Sequence, residues 1–130
     1  MATTTATITL SSSDLLSDAL SLSVATSITA SASTGLARRA VNSTSATPAT
    51  DLFLYDASDW TAPGYLYVKN TDSTASNYVY VYADTATDDP VILKIAGGAW
   101  AFLPADASDL KAYGTGGSEV VEFMVIGTEA

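Results

Sequence analysis

The chain has 130 residues and a formal net charge of −9 at pH 7, and it contains neither histidine nor cysteine. It therefore has no catalytic imidazole, no thiolate nucleophile, no zinc site of the usual nitrogen and sulfur type, and no disulfide. Five basic residues cannot neutralise a run of phosphates, so we expect no nucleic-acid partner. The same acidity disfavours an anionic membrane, no apolar run is long enough for a transmembrane helix, and we expect no secretory signal.

The composition changes after the first third of the chain. Residues 1–50 are rich in Ser, Thr and Ala, whereas residues 51–130 hold both Trp, all seven Tyr and all three Phe. Within the first third, Ile8 and Leu10 alternate with threonines, and 20–30 alternates in the same way, which predicts two strands. Ser13 or Asp14 could cap a short helix between these strands. We expect an N-terminal arm over residues 1–19 and a single β-sandwich domain over 20–130.

The rest of the chain also has a period of two. Short stretches rich in β-branched and aromatic residues alternate with turn residues, which indicates strands. They are 36–42, 51–55, 64–69, 78–83, 91–96, 99–103, 110–114 and 119–126. About 8–10 short strands without a helical period predict an all-β fold. We expect an antiparallel β-sandwich, jelly-roll-like, or a small barrel, with an extended N-terminal arm.

Two glycine pairs predict hairpins, because both central residues of a two-residue turn can adopt a positive φ angle. The first turn, at 96–99, would place Ile95 opposite Trp100. The second, at 115–118, would place Lys111 opposite Glu122, and would set apolar pairs on the other face. Both registers agree with one buried face.

A third hairpin is predicted between the stretches 65–69 and 78–82. Its register gives one aliphatic face, formed by Leu66, Val68, Val79 and Val81, which we expect in the core. The opposite face is formed entirely by tyrosines, namely Tyr65, Tyr67, Tyr78, Tyr80 and Tyr82. Such an amphipathic face suits a surface that a partner covers.

Carboxylates are the only numerous side chains that could take part in catalysis or metal binding. The same four residues, Asp-Ala-Ser-Asp, occur at 56–59 and 106–109, and a further loop at 84–89 contains three aspartates. Loop oxygens of this kind could hold Ca²⁺, but Asp and Ser also cap backbone groups in turns. We favour turn chemistry and expect no metal and no cofactor. Because the hydroxyl groups lack an activating base, we expect no enzymatic activity.

Several residues are candidates for an interaction surface. One arginine of the pair Arg38 and Arg39 is expected to bind a carboxylate and the other to reach solvent, since neighbours on a strand point to opposite faces. Trp100 is expected to fill the core, whereas Trp60 could be a core lid or an interface anchor. The full set of interface candidates is Ile8, Leu10, Arg38, Arg39, Trp60, Tyr65, Tyr67, Tyr78, Tyr80 and Tyr82.

Five segments carry a resemblance to a known class of protein. They are Tyr65–Asp72, Tyr78–Tyr82, Leu93–Pro104, Asp109–Tyr113 and Val120–Gly127. Their order and spacing over residues 52–127 resemble small virion structural proteins of tailed bacteriophages, and contain no catalytic motif. The resemblance implies a capsid decoration (cement) protein on the virion exterior, with the major capsid protein and its own copies, as a homotrimer, for partners. A tail, adaptor or fibre component is the alternative within this class, and a Ca²⁺-dependent carbohydrate-binding β-sandwich is the alternative outside it.

Overall fold

A computed structural model describes residues 1–14, 17–106 and 108–130, and for Ala62 it describes the backbone alone. The described residues form eleven strands. None of them forms a helix long and apolar enough to cross a membrane. The strands are β1 (Ala2–Ser12), β2 (Leu20–Ala30), β3 (Ala32–Ser33), β4 (Ala37–Ala40), β5 (Leu52–Tyr55), β6 (Trp60–Asn70), β7 (Val79–Asp84), β8 (Val91–Ile95), β9 (Trp100–Ala105), β10 (Asp109–Gly114) and β11 (Val120–Glu129).

The chain divides into two compact units, Met1–Ser31 and Ala32–Ala130. Strand β2 thus lies in the first unit, although residues 20–30 were expected in the sandwich domain. In the first unit, β1 and β2 form a two-stranded antiparallel ribbon in unbroken register from Ala2↔Ala30 to Ser12↔Leu20. The described residues of the connection, 13–14 and 17–19, form no helix; Leu15 and Leu16, where the short helix was expected to continue, lie outside the described residues.

The second unit is an antiparallel β-sandwich. One sheet has the order β5-β10-β7-β8, and the other has the order β3-β11-β6-β9, with β4 also paired to β11. We call them the β8-edge sheet and the β9-edge sheet. This is the strand order of a jelly roll, in which successive strands mostly change sheets. The predicted fold class is confirmed, and the sandwich alternative is the correct one because the sheets do not close into a barrel.

The alternation of apolar residues explains how the two sheets form one core. Leu66 and Val68 of β6 are fully buried, and so are Val79 and Val81 of β7 in the other sheet. These aliphatic side chains belong to one hydrophobic cluster with residues from both sheets. The predicted aliphatic face is therefore in the core. Removal of this apolar surface from water is the main stabilising contribution to such a sandwich.

The three predicted hairpins are wrong. Strand β6 pairs with β9 and β11 rather than with β7, β8 pairs with β7 rather than with β9, and β10 pairs with β5 and β7 rather than with β11. The alternation of apolar and polar residues indicates which side chains of a strand face the core. This pattern is the same whether the next strand pairs with the first or lies across the core from it, so it does not identify the partner strand. The turns agree: Gly98 and Gly117 have positive φ angles of 81° and 74°, but their preceding glycines do not. A type I′ hairpin turn needs a positive φ at both positions.

Candidate functional site: the outer faces of the sandwich

The predicted tyrosine face is divided between opposite sides of the sandwich. Tyr65 and Tyr67 lie on β6, where they alternate with the core residues Leu66 and Val68, so they belong to the outer face of the β9-edge sheet. Tyr80 alternates with core residues of β7 and lies on the outer face of the β8-edge sheet. The structure therefore has two separate aromatic surfaces instead of one.

The first aromatic surface contains an exposed tryptophan. Trp100 is 55% exposed, on the edge strand β9. The prediction that Trp100 fills the core is wrong, because Ala101, Leu103 and Ala105 are the β9 residues that pack against the core. The strand alternation consequently turns Trp100 and Phe102 outward.

Trp100 shares the outer face of β9 with a second aromatic residue, Phe102. Trp100 lies opposite Lys69, and Phe102 lies opposite Tyr67, in the pairing of β9 with β6. The rings of Tyr65 and Phe102 are stacked, with centroids 5.8 Å apart and an interplanar angle of 9°. We call the set Arg38, Tyr65, Tyr67, Trp100 and Phe102 the Trp100 surface. It combines exposed apolar area with groups that can form hydrogen bonds.

Polar contacts around Glu122 border the aromatic part of the Trp100 surface. The Arg38 guanidinium donates from Nε to Glu122 Oε2 at 2.8 Å, and its Nη2 lies 2.7 Å from the same oxygen. The Tyr67 hydroxyl donates to Glu122 Oε1 at 3.1 Å. The hydrogen bond from Arg38 lowers the pKa of Glu122 below its usual value, whereas burial and then the adjacent carboxylate raise the pKa of Tyr67.

The prediction for the arginine pair is confirmed. Arg38 binds a carboxylate, whereas Arg39 is exposed and donates to the Arg38 carbonyl oxygen at 3.3 Å. The guanidinium of Arg38 keeps most of its exposure, since 69% of its side chain remains accessible beside Glu122. It can therefore form further hydrogen bonds to a partner without breaking its internal ion pair.

The second aromatic surface is a cluster of tyrosines around a lysine. The rings of Tyr80 and Tyr113 are stacked with centroids 4.9 Å apart, and Tyr78 lies 6.4 Å from Tyr80. The Lys94 ammonium is 4.0 Å from the centroid of the Tyr78 ring and 5.7 Å from that of Tyr80. These contacts are cation–π interactions, so part of the aromatic area is already used within the chain.

Two of the predicted interface residues are buried: for Trp60 this is the core-lid alternative, and for Tyr82 the prediction is wrong. Trp60 is 9% exposed and belongs to the core cluster. Tyr82 is fully buried although its strand position points outward, and its hydroxyl donates to Asp51 Oδ2 at 2.8 Å. Burial, followed by the Asp51 carboxylate, raises the pKa of Tyr82 well above its ordinary value.

The segment before β5 accounts for the burial of Tyr82. Asp51 also accepts hydrogen bonds from the Ser43 hydroxyl at 2.5 Å and from the Thr47 amide at 2.7 Å. The ammonium of Lys111, a residue that is 4% exposed, donates to the Pro48 carbonyl and to Asp84 Oδ2, each at 2.6 Å. The segment from 43 to 51 is thus held to the outer face of the β8-edge sheet by polar contacts. No local pattern in the sequence indicates these contacts, because Asp51 was expected in a strand over 51–55 and Lys111 was expected to lie opposite Glu122.

The aspartate-rich loops show turn chemistry. Asp56 Oδ1 accepts hydrogen bonds from the Ser58 amide at 2.9 Å and from its hydroxyl at 2.7 Å, and these bonds lower the pKa of Asp56. Asp109 Oδ1 accepts from the Ala57 amide at 2.8 Å, so the two Asp-Ala-Ser-Asp segments contact each other. Among the described residues, no group of three acidic side chains is arranged to hold a metal ion.

The candidates of the N-terminal ribbon lie together on one of its faces. Ile8 pairs with Val24, and Leu10 pairs with Leu22. All four side chains are between 44% and 52% exposed. The middle of this ribbon face is thus accessible to water in the single chain, whereas Ile28 and Ala30 of the same face are buried. The opposite face of the ribbon is made of serines, threonines and one alanine.

Comparison with known proteins gives no further information on this surface chemistry. No family model matches the chain, and neither the curated proteins nor the solved structures contain a significant match.

Proposed function

We propose that this chain is a non-enzymatic structural protein of a tailed-phage virion, of the decoration type, which binds the outside of the assembled capsid. The resemblance of residues 52–127 to small virion proteins supports this proposal. The jelly roll is compatible with it, since viral capsid domains use this architecture, although a shared fold is support by analogy alone.

The observation that carries the proposal is the composition and exposure of the Trp100 surface. Tryptophan, tyrosine and arginine dominate the binding energy of protein interfaces, and all three types lie on this one sheet face. Trp100, at 55% exposed, has a large apolar area to bury against a partner. Arg38 and Tyr67, both bonded to Glu122, supply a polar rim. In this proposal the partner is the major capsid protein.

Co-sedimentation with capsids tests the proposal. Expanded capsids are assembled from the major capsid protein encoded by the same phage genome, without this chain, and are titrated with the purified protein. Trp100→Ala is expected to weaken binding by ~30-fold, the effect of removing one dominant interface residue. Ile92→Ala is the matched control, since Ile92 is 44% exposed on the edge strand of the other sheet. Unchanged affinity of Trp100→Ala, or absence of capsid binding by the unaltered chain, contradicts the proposal.

Copy number separates decoration from the alternative of a tail, adaptor or fibre component. Symmetry relates the copies of each component, so decoration implies on the order of hundreds of copies per particle. A tail position implies about six to a few dozen copies. Quantitative mass spectrometry of purified virions measures this number directly.

A carbohydrate-binding module is a second candidate, favoured by a specific observation. Exposed Trp100 next to the stacked pair of Tyr65 and Phe102 forms an aromatic surface on which a sugar ring could stack, and lectin domains also use jelly rolls. A glycan array probed with the unaltered chain and with Trp100→Ala, each with and without a chelator, tests this candidate. Binding to no glycan eliminates it. Binding that survives the chelator eliminates the Ca²⁺-dependent form.

A further inference from the structure

The charged residues are unevenly distributed between the two sheets of the sandwich. The strands of the β9-edge sheet hold three basic and two acidic residues, whereas the rest of the chain holds two basic and twelve acidic residues. Of the two basic residues in the other sheet, Lys94 lies over the Tyr78 ring and Lys111 binds Asp84. The β9-edge sheet is therefore locally cationic in a chain whose net charge is −9.

One row of side chains crosses the outer face of this sheet and carries most of its charge. Glu122 on β11 lies opposite Arg38 on β4 and opposite Lys69 on β6. Lys69 in turn lies opposite Trp100 on the edge strand β9. Directly paired residues project from the same face of a sheet, and neighbouring strands are ~4.8 Å apart. Lys69 thus has a carboxylate residue on one side and the exposed tryptophan on the other.

The carboxylate of Glu122 is engaged by groups other than Lys69. Its Oε2 accepts from Arg38, its Oε1 accepts from Tyr67, and only 12% of its side chain is exposed. Within the described part of the chain, neither an ion pair nor a hydrogen bond engages the Lys69 ammonium. One largely buried negative charge therefore lies between two positive charges, and the groups of the row that reach the surface are cationic.

A partner that buries Trp100 also removes water from Lys69. Lys69 is the cross-strand neighbour of Trp100 and is already half-buried. A charged group that loses water is strongly destabilising unless it gains an opposite charge. The Arg38 guanidinium, whose side chain is 69% exposed, has further N–H groups that can donate. The row therefore requires carboxylates from its partner, next to the apolar group that covers Trp100.

We propose that the partner region bound by the Trp100 surface is acidic, with carboxylates that bind Lys69 and Arg38 beside an apolar group that covers Trp100. This inference rests on the proposed function, and it names the chemistry of the contact: an acidic stretch of the major capsid protein that also contains apolar residues. Like-charge repulsion disfavours an approach of such a stretch to the aspartate-rich loops at 56–59, 84–89 and 106–109. The locally cationic row is the place where it can bind.

Co-sedimentation with the same capsids tests the inference with variants of equal net charge. Lys69→Met and Lys69→Glu alter the row, whereas Lys94→Met and Lys94→Glu make the same charge changes on the other sheet. We expect the Kd to rise ~10-fold for Lys69→Met, through the loss of one charge-assisted hydrogen bond. For Lys69→Glu we expect a rise of ~100-fold, because like charges then meet. Both Lys94 variants should bind like the unaltered chain.

Zero-length crosslinking gives a second readout, which remains valid if a Lys69 variant disturbs the fold. A carbodiimide joins an amine to a carboxylate that it already contacts, and mass spectrometry of the joined peptides identifies both residues. We expect crosslinks from Lys69 of the bound, unaltered chain to Asp or Glu of the major capsid protein, and none from Lys94.

The outcomes separate this inference from the proposed function. Equal capsid affinity of Lys69→Glu and Lys94→Glu, or the absence of crosslinks from Lys69 to the capsid protein, overturns the acidic partner and leaves the contact through Trp100 standing. Absence of capsid binding by the unaltered chain overturns the proposed function, and this inference with it.

Discussion

The contact between Lys111 and Asp84 allows the strand arrangement to be tested by a double-mutant cycle. The changes are Lys111→Met, which keeps most of the side-chain volume, and Asp84→Asn, singly and together. The side chain of Lys111 is 5% exposed and that of Asp84 is 25% exposed, and the Nζ to Oδ2 distance is 2.6 Å. Because the two groups share a partly buried, charge-assisted hydrogen bond, their effects on the free energy of unfolding should not be additive.

The magnitude follows from the bonds that are lost. A hydrogen bond to a charged group contributes ~1.5–3 kcal/mol, so we expect a coupling energy of ~2 kcal/mol between the two residues. Lys111→Met alone also leaves the Pro48 carbonyl without its 2.6 Å donor. Removal of one member of a buried ion pair costs ~3–5 kcal/mol. Since Asp84 keeps some contact with water, we expect a total of ~3 kcal/mol for Lys111→Met, at the lower end of that range.

Urea unfolding followed by the fluorescence of buried Trp60 measures these free energies, and a second cycle provides the control. Lys111→Met is combined with Glu122→Gln, the residue that a β10–β11 hairpin would place opposite Lys111. The structure instead pairs Glu122 with Arg38, so we expect a coupling energy near zero. A coupling to Glu122 equal to or larger than that to Asp84 would refute the strand order described above.

Three further predictions concern titration and the glycine turns. Burial raises the pKa of Tyr82, so the stability that the protonated Tyr82 hydroxyl contributes is present below pH ~10 and is lost as the pH rises further. Tyr82→Phe should flatten this alkaline loss of stability, measured by thermal unfolding. The hydrogen bond from Arg38 lowers the pKa of Glu122, so the stability that the ionised Glu122 contributes is present above pH ~4.5 and is lost as the pH falls through the pKa of the folded state. Glu122→Gln should reduce this acid-dependent loss of stability in the same assay. Gly98 has a φ of 81° and open space around it, so Gly98→Ala should cost ~1 kcal/mol in urea unfolding. A Cβ on Gly97 would lie 2.8 Å from the Thr74 carbonyl carbon, so Gly97→Ala should cost more, ~3 kcal/mol; equal costs would contradict the close approach of Gly97 to the segment between β6 and β7.

The sequence predicted the positions of the strands and their buried faces better than their partners. Strand β7 was expected at 78–83 and is found at Val79–Asp84, and its core residues Val79 and Val81 are those that the alternation indicated. Side-chain alternation is a local property of an extended chain. The choice of partner strand depends on loop paths and on packing between sheets, which the pattern of one strand does not contain.

The candidate site was predicted in part, for the same reason. The outward position of Tyr65 and Tyr67, which are half-buried, follows from their alternation with the core residues of β6 and was correctly expected. The exposure of Trp100 was missed because Trp100 was expected opposite Ile95 in a hairpin, whereas β9 pairs with β6 in the other sheet. Burial of Tyr82 depends on a segment about 30 residues earlier in the chain, and no local pattern reports such a contact.

The distribution of charge distinguishes the aspartate-rich end of the sandwich from the Trp100 surface. Seven aspartates occur in or beside the three connections at 56–59, 84–89 and 106–109, and the hydrogen bond from Ala57 to Asp109 and the pairing of Asp109 with Asp84 bring these connections to one end of the sandwich. Arg38 and Lys69, in contrast, lie on the outer face of the β9-edge sheet, and the ribbon strands carry no charge. Like-charge repulsion disfavours contacts through the aspartate-rich end of the sandwich more than contacts through the Trp100 surface, and salt weakens this preference. The net charge of −9 thus acts against association through the aspartate-rich end of the sandwich and less against the contact proposed for the Trp100 surface, which gives orientation to a surface whose attraction is mainly apolar.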